Sequence, residues 1–155
     1  MGGCCCFTGH RELSGEERTL IRVRLDKILP QLVEMGYDTF AAGGALGFDT
    51  MAARAVLRLK ESTPVRLHLI LPCRDQDARW PMLDRAIYAD ILSQADEITY
   101  AAEQYHRGCM YQRNRMLVDS STACVCFLTR GGGTAYTVDY AKKKGLRVFN
   151  LAKKS

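Results

Sequence analysis

The sequence predicts a single α/β domain in which a mainly parallel β-sheet is covered by helices on both faces. First, six strand-like apolar runs alternate with helical patterns along the 155 residues. Second, the runs at 65–71 and 123–128 are apolar almost throughout, as expected for central strands that are covered on both sides. Third, the sequence contains no linker, repeat or low-complexity segment, which favours one domain over residues 1–155.

The predicted strands cover, in chain order, residues 3–7, 39–42, 65–71, 97–100, 123–128 and 147–151. Because helices separate most of them, we expect right-handed crossovers and hence a parallel sheet. Such sheets bind ligands at the carboxyl ends of their strands, beside a switch in strand order. The candidate loops are therefore those at 8–11, 43–49, 72–80 and 129–134.

Capping residues and apolar periodicity predict five helices. The first begins with a capping box formed by Ser14 and Glu17, whereas Pro30 is expected to kink this helix or to end its first half. The other four are predicted from after Gly47 to about residue 60, from Pro81 to about 94, over about 110–118, and from after Gly133 to about 144.

The composition indicates a globular protein of the reducing cytoplasm. The chain is 47% hydrophobic and 25% charged, and no apolar run approaches the roughly 20 residues that a membrane span needs. Its seven cysteines are odd in number and include no C-x-x-C pair, which argues against a disulfide framework and a zinc site. We therefore expect no metal and no membrane partner. Cys73 and Cys109, in predicted loops, are the only candidates for reactive thiols.

The formal net charge of +5 is modest and favours an anionic small molecule as the partner. Nucleic-acid binding is typical of a basic face with interleaved aromatic residues. No such stripe is visible in the sequence, so nucleic acid is not expected as a partner.

A glycine-rich turn follows the fifth predicted strand and opens the last helix. It comprises Gly131, Gly132, Gly133 and Thr134, preceded by Arg130. Without Cβ atoms, backbone amides approach a ligand closely, and the helix start adds unpaired N–H groups and a partial positive charge. A cation and a hydroxyl bracket the glycines, so the turn predicts a phosphate site. A plain helix start capped by Thr134 is the alternative.

Another glycine-rich turn follows the second predicted strand and contains Gly43, Gly44, Gly47 and Asp49. Its amides are candidates to hold a phosphate or a sugar, while Asp49 caps the helix or accepts a ribose hydroxyl. A glycine turn with an N-cap carboxylate explains the pattern equally well. The G-x-G-x-x-G spacing of dinucleotide sites and the G-K-[ST] ending of triphosphate P-loops are both absent from the sequence.

Two further groups of candidate contacts carry charge. Gly9, His10 and Arg11 directly follow the first strand. We expect His10 to contact the ligand rather than to act in acid–base chemistry, and Arg11 to pair with a phosphate. Arg113 lies on the short fourth helix, where a solvated basic face is the alternative.

Trp80, Asp84 and Tyr88 recur at helical spacing on the third helix, with Gln76 just upstream. A ring of this group is a candidate to stack on a base, and Asp84 is a candidate to bind the base edge or a sugar. Core packing is the alternative for aromatic residues at this spacing. Tyr105 and His106, in the loop before the fourth helix, are weaker candidates.

Taken in order, these segments resemble the YpsA-like proteins of the SLOG superfamily. The resemblance covers nearly the whole chain and rests on residues 5–11 (CCFTGHR), 43–49 (GGALGFD), 71–73 (LPC), Gln76, Trp80, 113–115 (RNR), Asp119 and 131–134 (GGGT). It implies a Rossmann-like fold and binding of a nucleotide or nucleotide-derived ligand. The superfamily also includes the DNA-processing protein DprA and the LOG enzymes, which cleave the base–ribose bond of cytokinin nucleoside monophosphates.

The similarity to the LOG enzymes is incomplete at one position. Their phosphate turn reads P-G-G-x-G-T-x-x-E, with the glutamate implicated in catalysis, and a nearby helix carries M-x-x-R-K. This chain has Met110 and Arg113 of the helix motif, but Thr137 occupies the position of the glutamate. Threonine has no negative charge with which to stabilise an oxocarbenium-like transition state or to act as a base. The resemblance therefore implies an anion site without the known hydrolytic group.

The expected function is binding of a nucleotide or derivative of the AMP or ADP-ribose type, as a sensor, with no cofactor required. One alternative is a nucleotide N-glycosidase in which Asp84, Asp119 or Glu103 replaces the missing glutamate. Arg113 and His10 are further catalytic candidates for such an enzyme. The other alternative is single-stranded DNA binding of the DprA type. A homodimer also stays open, since Rossmann-like domains of this size often pair.

Overall fold

Six strands and five helices alternate along the computed structural model, which describes residues 2–153. The strands are β1 (Gly3–Gly9), β2 (Tyr37–Ala42), β3 (Arg66–Leu71), β4 (Glu97–Tyr100), β5 (Ala123–Phe127) and β6 (Arg147–Asn150). The helices are α1 (Gly15–Glu34), α2 (Phe48–Lys60), α3 (Met82–Gln94), α4 (Cys109–Asp119) and α5 (Gly133–Lys143). Met1, Lys154 and Ser155, at the ends of the domain predicted for residues 1–155, lie outside the described residues.

The strands form one parallel sheet in the order β4-β3-β2-β1-β5-β6. The chain builds outward from β1 to β4 and then returns to the other side of β1 to add β5 and β6. The strand order therefore reverses between β1 and β5, and ligands of α/β sheets bind outside the carboxyl ends of such a pair. The predicted α/β class, with a Rossmann-like parallel sheet, is confirmed.

Side chains of the strands alternate between two apolar layers. Cys5 and Phe7 belong to the larger layer, which also contains the buried residues of α1, α2 and α3. Cys6, between them, belongs to the smaller layer with the buried residues of α4 and α5. Because both faces of the sheet are covered, the central strands are apolar almost throughout.

The first helix differs from its prediction. It begins as expected, since Ser14 Oγ accepts the Glu17 N–H at 3.1 Å and Glu17 Oε1 accepts the Ser14 N–H at 2.9 Å. The prediction that Pro30 ends the first half of the helix is wrong, because α1 runs unbroken to Glu34. Pro30 and Asp26 are both exposed, so the hydrogen bond that the proline removes belongs to the solvent-facing side of the helix.

Strand β1 is two residues longer than predicted, because it ends at Gly9 rather than at residue 7. Thr8 and Gly9 are therefore the last residues of a strand, held in register with β5, and not part of a loop. Between residues 2 and 153, no helix has the length and apolar character needed to cross a membrane.

Candidate functional site

A cleft of about 610 Å³ opens where the strand order reverses. Its volume lies within the range of roughly 300–1,000 Å³ that is typical of small-molecule sites. The end of β1 with the following loop, the turn before α2, and the first turns of α4 and α5 form its walls. The lining residues are Thr8, Gly9, His10, Arg11, Glu12, Ala45, Leu46, Asp49, Met110, Arg113, Asn114, Arg130, Gly133 and Thr134.

The first turn of α5 supplies free amide groups to this cleft. Gly132 caps the helix with φ +126°, a value that favours glycine. The first hydrogen bond into the helix runs from the Tyr136 N–H to the Gly132 carbonyl at 3.1 Å. The amides of Gly133, Thr134 and Ala135 precede that bond and are the unpaired donors of the helix start.

Open space surrounds the turn before α5. A Cβ atom placed on any of residues 131–133 would meet no heavy atom within 4 Å. Thr134 lines the cleft, and its hydroxyl has no hydrogen-bond partner among residues 2–153. One turn later, the Thr137 hydroxyl donates to the Gly133 carbonyl at 3.0 Å. Unpaired donors beside open space are what an anion-binding helix start provides.

Arg113 places a buried positive charge in the cleft. Its side chain donates from Nη1 to the Gly43 carbonyl and from Nε to Asn114 Oδ1 at 2.8 Å. Burial lowers the pKa of the Arg113 guanidinium, and the Asp49 carboxylate partly opposes that change. Arginine stays protonated at physiological pH, so this group is a cation that an anionic ligand in the cleft can reach.

Asp49 is the buried carboxylate beside Arg113. It accepts the Ala45 N–H at 3.3 Å, within the turn that precedes α2. Burial raises the pKa of Asp49 to about 6, against the opposing effects of the Arg113 charge and the Ala45 amide. Gly47 and not Asp49 is the N-cap of α2, because the helix begins at Phe48 and Asp49 lies within its first turn. Asp49 is thus a cleft residue that titrates below neutrality.

The turn before α2 is crowded by protein atoms. A Cβ atom on Gly43 would lie 2.6 Å from Arg113 Nη1, and one on Gly47 would overlap the Arg11 carbonyl. Gly44 is crowded in the same way and has φ +72°. None of these three predicted contacts lines the cleft, and Gly47 lines an adjoining groove instead. Their lack of a Cβ allows the surrounding segments to approach one another closely.

His10 and Arg130 tie the loop after β1 to the loop after β5. His10 Nε2 accepts the Thr129 N–H at 3.0 Å, which assigns the ring proton to Nδ1. Burial, assisted by the charge of Arg130, lowers the pKa of His10, so the neutral ring is favoured. Arg130 donates to the Glu12 carbonyl at 2.7 Å. His10 and Arg130, both predicted to contact the ligand, line the cleft, and each also makes a hydrogen bond to a neighbouring loop.

Gln76 and Trp80 lie outside the cleft lining, in a group with Tyr88. The rings of Trp80 and Tyr88 meet edge to face with centroids 5.1 Å apart, and Tyr88 is buried. Gln76 Nε2 donates to the Tyr88 hydroxyl at 3.1 Å. These side chains therefore pack against one another, as expected if aromatic residues at helical spacing serve the core. Gly9, by contrast, lines the cleft and lies so close to Phe48 that a Cβ would overlap its ring.

The carboxylates considered as replacements for the LOG glutamate do not line the cleft. Asp119 accepts the Tyr140 hydroxyl at 2.8 Å, and Glu103 pairs with Arg74 at 2.6 Å. Asp84 lines a separate groove. The weaker candidates in the loop before α4 are exposed and also lie outside the lining: Tyr105 and His106.

The two candidate thiols are shielded. Cys73 is 1% exposed, and burial raises its pKa to about 11. Cys109 is fully buried at the start of α4. A raised pKa and poor access both oppose thiolate chemistry.

Six lining residues were missing from the predicted contacts: Thr8, Ala45, Leu46, Met110, Glu12 and Asn114. The last two had a clear signal in the chain. Each directly follows a predicted contact in the chain, Arg11 in one case and Arg113 in the other. That adjacency was the available signal, because a turn that lines a cleft usually contributes more than one residue to it.

Comparison with known proteins agrees with the fold and its order of motifs. The YpsA family model, with the description YspA SLOG family, matches residues 5–149. The UPF0398 proteins BH1768 of Halalkalibacterium halodurans and OB1025 of Oceanobacillus iheyensis are both 28% identical to this chain, over 131 and 137 residues. These alignments cover 81% and 84% of this chain and 69% and 74% of the two relatives.

Two solved structures share the fold. DNA processing protein A from Helicobacter pylori, described for its single-stranded DNA binding mode, superposes with a TM-score of 0.66 at 18% identity. The superposition covers 94% of this chain but 64% of that chain, so this chain spans less than two thirds of that protein. The structural-genomics protein TM1055 superposes with a TM-score of 0.60 at 18% identity, covering 94% of this chain and 72% of that chain.

Proposed function

The chain belongs to the YspA SLOG family, and from that premise we propose that its cleft binds a nucleotide or nucleotide-derived ligand of the AMP or ADP-ribose type. The ligand phosphate occupies the open space before α5 and accepts hydrogen bonds from the amides of Gly133 and Thr134 and from the Thr134 hydroxyl. The protein responds to this ligand as a sensor and does not hydrolyse it.

The observation that carries the proposal is the combination of unpaired donors, open space and positive charge at the start of α5. The amides of the first helical turn lack partners in the helix, and no atom lies within 4 Å of a Cβ built on residues 131–133. The helix dipole and the Arg113 guanidinium both favour an anion in this space. A phosphate there forms charge-assisted hydrogen bonds, which are stronger than neutral ones.

The remainder of the cleft suits a sugar and a base. Asp49 and Asn114 carry oxygen atoms that accept hydrogen bonds from ribose hydroxyls. Met110 and Leu46 are partly exposed and offer apolar surface to a base. Because Trp80 lies outside the cleft lining, we assign the contact with the base to Met110 and Leu46 instead of the Trp80 ring.

The sensor role is supported by the residue at the position of the LOG glutamate. Thr137 is 1% exposed and its hydroxyl is engaged by the Gly133 carbonyl. No charge is therefore supplied at this position to a developing oxocarbenium ion. Binding of the phosphate needs the helix start and not that carboxylate, so the anion site persists without the hydrolytic group.

A nucleotide N-glycosidase is the second candidate function, and Asp49 is the observation that favours it. Of the carboxylates in the described structure, Asp49 and Glu12 line the cleft. Asp49 has its pKa raised to about 6 by burial, so a fraction is protonated near neutral pH. A protonated carboxyl group beside the ligand is a donor for a leaving base.

Single-stranded DNA binding has weaker support. The DNA processing protein A of Helicobacter pylori shares the fold with this chain at 18% identity, and its structure concerns single-stranded DNA. Such binding predicts an affinity that falls steeply with salt, because phosphate contacts release counterions.

Ligand-observed proton NMR distinguishes nucleotide binding from nucleotide hydrolysis in one sample, and a second measurement tests DNA binding. The protein is mixed with AMP, ADP-ribose, NAD and a cyclic dinucleotide and followed overnight, and we expect saturation transfer to a nucleotide without new signals. Growth of free-base signals would instead establish the N-glycosidase. Silence across the panel from folded protein contradicts the proposal, and salt-sensitive binding of an oligodeoxynucleotide then identifies the DNA-binding function.

The Thr134→Val and Thr137→Val variants are a matched pair for this experiment. Both remove one hydroxyl from the same helix, but only that of Thr134 lines the cleft. Transfer should weaken in the first variant and persist in the second. Equal transfer in both would remove the phosphate from the start of α5.

A further inference from the structure

A second groove, of about 240 Å³, adjoins the cleft on the side of α1 and α2. Arg11 and Leu46 line both cavities, so the two spaces lie side by side. The groove receives Arg18 from α1, Arg54 from α2 and Asp84 from α3. Residues that are far apart in the chain therefore form one surface beside the candidate phosphate site.

Positive charge exceeds negative charge in this groove. Three guanidinium groups and one carboxylate line it: Arg11, Arg18, Arg54 and Asp84. Among residues 2–153, none of the three arginines makes an ion pair or a side-chain hydrogen bond. Three exposed cations around a small concave space repel one another, and an anion between them relieves that repulsion.

The arginines of α1 and α2 differ in whether they have an ion-pair partner, and those without one, Arg18 and Arg54, lie nearest the cleft. Farther along α1 and α2, Arg22 and Arg58 line the next groove. Both of them bind Asp26, at 3.2 Å and 2.8 Å. Arg18 and Arg54 line this next groove as well, so the arginine surface is continuous, and its unpaired members are those nearest the cleft. The groove beside the cleft is small, about 240 Å³, which fits one anionic group.

We propose that this groove is a second anion subsite and that the ligand is a nucleotide with two separated phosphate groups, such as a dinucleotide or a nucleoside bisphosphate. One phosphate binds at the start of α5, and the other binds between Arg18 and Arg54, with Arg11 next to both. This inference rests on the proposed function, because it takes the first phosphate as bound in the cleft. Guanidinium groups match phosphate oxygens with paired hydrogen bonds.

The second phosphate increases affinity without carrying the binding by itself. The three arginines are exposed, so solvent and salt screen their attraction for an anion. The cleft contacts, in contrast, include the buried Arg113. A ligand with one phosphate therefore binds in the cleft alone, and a ligand with two gains an additional, salt-sensitive contribution.

Isothermal titration with AMP, adenosine 3′,5′-bisphosphate and the dinucleotide pApA tests this subsite. We expect at least one two-phosphate probe to bind about tenfold more tightly than AMP to the wild-type protein. The Arg18→Ser/Arg54→Ser variant should lose that gain and bind AMP with unchanged affinity. The control variant Arg79→Ser/Arg107→Ser removes the same charge from exposed loop positions and should keep the gain.

The outcomes separate the subsite from the proposed function. If AMP binds and neither two-phosphate probe gains, or if the gain survives in the Arg18→Ser/Arg54→Ser variant, the subsite is overturned and the cleft stands. Failure of all three probes overturns both proposals. If only a twenty-nucleotide DNA strand binds, and does so through Arg18 and Arg54, the groove holds a polymer backbone and the subsite is again overturned.

Discussion

The two glycine-rich turns of this chain look alike in sequence and differ in their surroundings. In the turn before α2, a Cβ on Gly43 or Gly44 would lie 2.6 or 2.5 Å from a neighbouring side-chain atom, and one on Gly47 would overlap backbone. In the turn before α5, Cβ atoms on residues 131–133 would meet nothing within 4 Å. Glycine in the first turn makes room for the protein itself, whereas glycine in the second leaves room unoccupied by protein.

This difference indicates which of the two predicted phosphate-binding turns has room for a ligand. The crowded turn holds the cleft residues Arg113 and Asp49 in place, through the Gly43 carbonyl and the Ala45 amide. Of the open turn, Gly133 and Thr134 line the cleft with amides that lack helical partners. Gly131 lines a different groove, and Gly132 is not among the cleft-lining residues. Substitutions in the crowded turn should therefore change stability, and substitutions in the open turn should change ligand binding.

The largest expected effect comes from Gly47→Ala. Its φ of +81° and the overlap with the Arg11 carbonyl should together destabilise the fold by about 2–5 kcal/mol. Gly131→Ala, with open space around it, should change the free energy of unfolding by less than about 0.5 kcal/mol. Urea denaturation of the two variants measures both values. Equal destabilisation would show that the two turns do not differ in packing.

Because Asp49 is a buried carboxylate, the free energy of unfolding should depend on pH. The pKa of Asp49 is raised by burial from 3.8 to about 6, which corresponds to roughly 3 kcal/mol. Because the unfolded chain releases this proton at lower pH than the folded protein, Asp49 lowers stability as pH rises from about 4 to about 6. Asp49→Asn removes this titration.

Urea denaturation at several pH values tests that expectation. Asp49→Asn should gain stability relative to the wild type over this interval and run parallel to it at higher pH. Every other titrating group is shared by the two proteins, so the difference between their curves isolates Asp49. A constant difference between pH 4 and 7 would contradict a raised pKa at this position.

Substitutions at the two proposed phosphate contacts should weaken ligand binding by a smaller but measurable free energy. Thr134→Val and Arg113→Ala are each expected to weaken nucleotide binding by about 1–3 kcal/mol, the scale for hydrogen bonds lost to a charged group in a buried site. Titration calorimetry with the ligand identified by NMR measures the loss. Thermal unfolding accompanies Arg113→Ala, because that change also leaves Asp49 without a neighbouring cation. Unchanged affinity in both variants would remove this site assignment.

The smallest expected effect concerns the contact that joins the loops after β1 and β5. His10→Phe removes the acceptor of the Thr129 N–H and should cost about 1 kcal/mol of stability. The pKa of His10 is lowered from 6.5, so its contribution is present above that pH and is lost as pH falls through the lowered value.

His10→Gln is the matched control for this contact, since its amide oxygen accepts the same N–H and does not titrate. Its stability should fall less than that of the wild type as the pH drops below 6.5. Parallel curves for the two proteins, measured by urea denaturation, would show that His10 does not titrate differently on folding.

Local patterns were sufficient for most of the fold. The apolar runs and the capping box at Ser14 predicted the strands and the start of α1, because covered strands and helix starts have local signatures. Pro30 was misjudged because its cost depends on whether the freed carbonyl reaches solvent, which is decided by the face of the helix that it occupies. Sequence spacing alone does not assign that face when the surrounding residues are mixed.

The site was harder to predict because its parts come from distant segments. The asymmetry between the two glycine turns depends on atoms of Arg11, Leu71 and Arg113, none of which lies within either turn. The arginine groove is a similar case, since α1 and α2 contribute one arginine each and the sequence shows no single basic stripe. Such arrangements exist only after the helices pack, so residue-by-residue patterns do not reveal them.

Alkylation of the buried cysteines in β1 and β5 can be used to measure how often the sheet opens. Cys5 and Cys126 are buried in these adjacent strands, and burial raises the pKa of both thiols, that of Cys126 to about 12. An alkylating reagent, which attacks thiolates, therefore modifies them only when the sheet separates. The rate of modification reports how often that happens. A ligand that binds only the folded cleft must slow it, so unlabelled protein and a mass spectrometer suffice to screen for one.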